Sequence, residues 1–106
     1  MAVRKLGLLL CTPPSHPSVE TVARLAETAL KHGVDVYLYL IDEGVKNTQD
    51  TRYARLLDAG VKMSVCAYGC QQHGVSTQAV DSRVSLSGLV VLSGIIDKCD
   101  RFLAFT

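Results

Sequence analysis

The chain has 106 residues, of which 48% are apolar and 20% charged, and its formal charge is +1 at pH 7. That composition suits one globular domain spanning residues 1–106, with no linker, repeat or low-complexity tract. The balanced charge and the lack of a basic block leave no electrostatic footprint for nucleic acid, and no apolar run approaches the roughly 20 residues of a membrane span.

The opening MAVRKLGLLLC superficially resembles a signal peptide. Its apolar stretch, Leu6 to Leu10, is only five residues and contains Gly7. A cleavable signal has an apolar region of about 7–15 residues and then a small-residue cleavage site, but here Thr12-Pro13-Pro14 follows. Lys5 to Cys11 therefore reads as a first strand, buried on both faces as in a parallel sheet. Thr12 to Pro17 is a proline-dense loop. Ser18 is the expected cap of a helix, with Pro17 at its edge. Val22, Leu25, Ala26, Ala29 and Leu30 recur at helical spacing and mark its buried face. Lys31 and His32 suit its negative end, and Gly33 is the expected stop.

Val34 to Ile41 alternates Val34, Val36, Leu38 and Leu40 with Asp35, Tyr37 and Tyr39, the pattern of a second strand. Asp42-Glu43-Gly44 reads as a turn and Val45 to Asp50 as a polar loop. Arg52 to Ala59 is helical, with Gly60 as its stop. Val61 to Val65 is a third strand leading into Cys66. Gln71 to Arg83 is polar and poorly periodic, and Val84 to Leu86 reads as a short fourth strand. Gly88 to Lys98 is helical, with Leu89, Leu92, Ile95 and Ile96 on its apolar face, and Asp100 to Phe105 is the last strand. Strands alternating with helices imply a three-layer α/β/α sandwich around a mainly parallel sheet of four to five strands. Crossovers in such a sheet are right-handed.

The segment Gly60 to Val75, GVKMSVCAYGCQQHGV, is where chemistry is expected. It delivers a thiol, Cys66, to the carboxyl end of a strand, and ligands of open α/β sheets gather at that edge. Cys70 and His73 follow within a short helical turn. If residues 66–70 are helical, the two cysteine Cα atoms stand about 6 Å apart, inside the range for a disulfide. Cys11 and Cys99 end a strand and a helix and read as core. Four cysteines without a secretory signal suit a reducing cytoplasm. As a zinc site, Cys66-x3-Cys70-x2-His73 offers three ligands, and structural zinc takes four. No phosphate-binding glycine loop and no nucleophile-elbow motif is present.

The order and spacing of these segments resemble the DsrE/DsrF/TusD family of small sulfur-relay proteins, over nearly the whole chain. The block GVKMSVC followed eight residues later by Gly74 carries most of the likeness. Asp42-Glu43-Gly44-Val45, Ser85-Leu86-Ser87-Gly88-Leu89 and Cys99-Asp100-Arg101-Phe102 add to it. Where many members have arginine before the glycine, this chain has His73. The resemblance implies a DsrE-like fold, Cys66 as the persulfide-bearing residue, and sulfur-donor and sulfur-acceptor proteins as partners. It also implies assembly as a trimer, a hexamer or a mixed hexamer, and neither metal nor organic cofactor.

The chemistry requires a thiolate. Unpaired N–H groups at the start of a helical turn favour an anion there, and protonated His73 adds positive charge. Cys70 is a candidate to resolve a Cys66 persulfide as a disulfide. Tyr37, Tyr39 and Tyr68 are candidate interface aromatics. The competing expectation is a non-catalytic oligomeric scaffold or small-ligand binder of the same fold, in which Cys66 merely packs.

Overall fold

The computed structural model describes residues 3–106. Met1 and Ala2, the start of the signal-like stretch, lie outside them. Five strands, β1 (Lys5–Leu10), β2 (Asp35–Leu40), β3 (Lys62–Cys66), β4 (Ser85–Ser87) and β5 (Arg101–Phe105), form one sheet in the order β4-β3-β2-β1-β5. Every pairing is parallel. Four helices accompany them: α1 (Pro17–Lys31), α2 (Thr51–Ala59), α3 (Ala67–Gln72) and α4 (Leu89–Lys98). The chain steps from β1 to β2 to β3 in one direction, so right-handed crossovers place α1 and α2 on the same face. The connection from β4 to β5 runs back across the sheet and puts α4 on the other face.

Register explains the core. Leu8, Leu38 and Met63 stand side by side across three strands, as do Leu10, Leu40 and Val65, and all six are buried. Val19, Val22 and Ala26 of α1 and Tyr53 and Leu56 of α2 complete this cluster. Full burial of each such leucine contributes roughly 1.5–3 kcal/mol. The Tyr53 hydroxyl donates to the Val19 carbonyl at 3.0 Å and ties α2 to α1. On the opposite face Gly7 lies directly beneath α4. A Cβ there would meet Phe102 at 2.7 Å and both Cys99 and Ile95 at 3.1 Å, so only glycine lets the helix sit this low.

Both expected glycine stops are present, with φ of +76° at Gly33 and +107° at Gly60. Four expectations need correction. His16, not Ser18, caps α1: its Nδ1 accepts from the Ser18 N–H at 3.1 Å, and Pro17 begins the helix. The Ser18 hydroxyl is engaged instead with Thr12 at 2.6 Å and His16 at 2.9 Å. The stretch Asp42–Gln49 is a continuous 3-10 helix rather than a turn and a loop. It is held by Asn47, whose buried amide donates to the carbonyls of Thr12 and Gly44 at 2.9 and 3.0 Å. In α4 only Ile95 is fully buried; Leu89 and Ile96 are 62% and 47% exposed. Tyr39, expected as an interface aromatic, is completely buried, and its hydroxyl reaches the Ser87 carbonyl two strands away.

Candidate functional site

Cys66 is the last residue of β3 and the N-cap of α3. Its backbone is extended, at φ −67° and ψ 115°, and the chain turns into the helix immediately after it. The thiol sulfur accepts the Gly69 N–H at 3.3 Å, taking the place that a serine or aspartate oxygen holds in ordinary caps. Gly69 is required by close packing. A Cβ there would stand 2.9 Å from Val45 and 3.5 Å from the Asp42 nitrogen, pushing α3 off the 3-10 helix.

Cys66 is 7% exposed, and it lines a cleft of about 620 Å³ at the carboxyl edge of the sheet. Ile41, Ala67, Tyr68, Gly69, Gly88 and Leu89 give that cleft mostly apolar walls. Asp42 and His73 also line it, and His73 Nε2 lies 2.9 Å from Asp42 Oδ1, joining the end of α3 to the end of β2. Asp42 is the one non-glycine residue with positive φ among the described residues, at 53°. Aspartate tolerates this region better than most side chains, and the conformation aims its carboxylate at the histidine. A second hollow of about 560 Å³, between α1 and α2, is lined by charged side chains including Arg24, Lys31 and Arg55, and has no thiol.

The expected residues are therefore partly assembled. Cys66 and His73 share the cleft. Cys70 is fully buried and does not line it. Burial pushes the Cys70 thiol up, and Cys66 pushes it further. All four cysteines are free. Cys11 and Cys99 are half-buried, Cys99 packing against the core, and burial raises both thiols. Among the described residues no group of three or more histidine, cysteine, aspartate or glutamate side chains is placed to hold a metal ion. Nor is any helix there long and apolar enough to cross a membrane.

Sequence reasoning passed over three neighbours of Cys66. Asp42 read only as a turn residue. Ser87 read only as part of a short strand motif. Tyr39 read as an interface aromatic. Tyr39 and Ser87 come to the site through strand pairing, and Asp42 through its contact with His73, none of which a local pattern displays.

A parallel sheet with a buried thiol lining a cleft at its carboxyl edge, beside a short capped helix, defines a small α/β protein of the DsrE-like fold. The model of the DsrE/DsrF-like family matches residues 4–105, and the chain belongs to that family. The crystal structure of the ychN protein from E. coli superposes with a TM-score of 0.84 at 19% identity, covering 98% of this chain and 100% of that one. A conserved protein of unknown function from Bacteroides thetaiotaomicron, BT1422, gives a TM-score of 0.74 at 17% identity, covering 95% and 94% of the two chains. At these identities the two structures speak to the fold alone. No curated protein sequence matches the chain.

Proposed function

We propose that this protein is a sulfur carrier: Cys66 takes up sulfur as a persulfide and passes it to a thiol on a partner protein. One observation carries the reading. Cys66, which the resemblance matches to the family's persulfide-bearing cysteine, lines an open cleft yet is itself only 7% exposed. Such a sulfur is reachable by a docked segment and shielded from bulk oxidants and competing thiols.

The apolar walls around Cys66 favour transfer between docked thiols, because a low dielectric strengthens the hydrogen bonds that hold a sulfur anion. Sulfur-donor and sulfur-acceptor proteins are the partners this implies. No cofactor or metal takes part in the exchange. The exposed Leu89, Val90 and Ile96 of α4, with Leu86 of β4, suit a homo-oligomer of trimeric or hexameric form, or a mixed assembly with related subunits. Four free thiols fit a reducing compartment such as the cytoplasm. His73, held by Asp42, supports the wall of the cleft. Cys70 contributes packing rather than resolution, since burial disfavours the thiolate that resolution requires.

The test is intact-mass analysis after incubation with a persulfide donor. The wild type and Cys70→Ser gain one sulfur atom and Cys66→Ser gains none. Equal gain by Cys66→Ser returns the protein to the scaffold reading.

A further inference from the structure

The register around Cys66 places two hydroxyl-bearing residues, Tyr39 and Ser87, on the same face of the sheet as its sulfur. Cys66 of β3 stands directly opposite Ser87 of β4, and Ser64, two residues earlier, stands opposite Tyr39 of β2. Residues paired in a parallel sheet share a face, and alternate residues of one strand return to it. Tyr39, Ser64, Cys66 and Ser87 therefore point to the same side, towards α4. The Tyr39 hydroxyl donates to the Ser87 carbonyl at 3.3 Å. Their strands, β2 and β4, lie about 9.6 Å apart, with β3 between them. The phenol accordingly crosses β3 at the level of Cys66. Tyr39 is fully buried, so its hydroxyl has no water to turn to.

Ser87 adds a second observation. Its hydroxyl oxygen is buried without a hydrogen-bond partner, although Ser87 lines the same cleft as Cys66. A buried hydroxyl without a partner is costly and uncommon. It lies on the face of the sheet and at the register position of the thiol.

We propose that Tyr39 and Ser87 are positioning residues for Cys66, their hydroxyl groups turning onto its sulfur when the sulfur carries negative charge. In the resting thiol the phenol proton rests on the Ser87 carbonyl. In the thiolate it swings to Sγ, and the Ser87 hydroxyl, rotating about one bond, joins it. Together with the Gly69 N–H, three donors from β2, β4 and α3 surround one sulfur. Consistent with this, burial raises the Tyr39 phenol, the bond to Ser87 lowers it, and Cys66 raises it by charge and by hydrogen bonding. The other titratable groups around the sulfur are Asp42, Tyr68 and His73 in the cleft and Cys70 beneath it.

This proposal deepens the carrier reading and rests on it for the transfer step. In that step the Cys66 thiolate attacks the outer sulfur of a donor persulfide. A new S–S bond forms at Cys66, the donor S–S bond breaks, and its electron pair leaves with the donor's inner sulfur as a thiolate. No external oxidant or reductant enters. The two hydroxyl groups hold the attacking anion and release it as its charge moves away.

Peptide-resolved iodoacetamide alkylation of Cys66 across pH tests the assignment without any sulfur transfer. Tyr39→Phe slows alkylation roughly tenfold at pH 7, moves the profile to higher pH and leaves the rate at high pH unchanged. Ser87→Ala moves it the same way by a smaller amount. A profile that coincides with the wild type in either variant overturns that residue's role. Tyr53→Phe, which removes another buried hydroxyl far from the cleft, leaves the Cys66 profile in place; if it moves the profile equally, the effect is general loosening and the proposal falls. Should Tyr39→Phe not fold, 3-fluorotyrosine at position 39 makes the same comparison. The more acidic phenol moves the profile to lower pH, and no movement overturns the role. Sulfur loading from cysteine persulfide is read separately. A shifted profile in a protein that takes up no sulfur retains the hydroxyl assignment and discards the carrier reading. Loading with an unmoved profile does the reverse.

Discussion

The two faces of the sheet are built to different rules. On the α1 and α2 side, leucine, valine and methionine line up strand by strand and are sealed by two helices. On the α4 side, β2, β3 and β4 present Asp35, Tyr37, Tyr39, Ser64, Cys66 and Ser87. The first face supplies stability through volume and burial. The second holds hydroxyl groups and a thiol in a setting dry enough to strengthen their interactions but not closed to solvent.

That contrast can be broken from either side. Cys66→Ser carries the largest functional effect, complete loss of sulfur loading by mass spectrometry. Serine still caps α3, so unfolding by urea shifts by less than about 0.5 kcal/mol. Leu38→Ala on the sealed face does the opposite. It costs about 3 kcal/mol in urea unfolding, and the protein that remains folded still loads Cys66. Asp50→Ala sharpens the comparison at smaller scale. Asp50 caps α2 by accepting the Arg52 N–H at 2.8 Å, and its carboxylate also receives the guanidinium. Loss of the cap costs about 1 kcal/mol.

The same residue predicts a pH dependence. Hydrogen bonding from Arg52 holds the Asp50 carboxyl below its ordinary value, against the opposing effect of burial. A depressed folded-state pKa stabilises above the unfolded value of about 4, and the stabilisation is lost as pH falls through the folded value. The gap between wild type and Asp50→Ala in urea melts is therefore full at pH 7 and narrows below pH 4. The smallest effect belongs to Lys98→Ala, whose ammonium sits 4.2 Å from the Tyr37 ring centroid. About 0.5 kcal/mol is expected there, with no change in loading.

Much of this architecture is legible along the chain. Alternation in Val34 to Ile41, the glycine stops at Gly33 and Gly60 and the apolar run of β1 are local signals, and each marks its element. The 3-10 helix Asp42–Gln49 is not legible, because Asn47 holds it through a carbonyl 35 residues away. Helix α4 is apolar around most of its circumference, so its pattern does not say that Ile95 alone is fully buried. The site divides in the same way. Cys66 is visible as a thiol at a strand end. Tyr39 and Ser87 are not visible as its neighbours, because they arrive through the pairing of β2, β3 and β4.

The most direct test locates the added sulfur among the four thiols of the wild-type protein. Cys11 and Cys99 are both more accessible than Cys66, so accessibility alone would direct sulfur to them. Peptide-resolved mass spectrometry after brief exposure to a persulfide donor is predicted to find the extra sulfur on Cys66. Sulfur shared among the cysteines in order of exposure, with Cys66 trailing, would contradict the account.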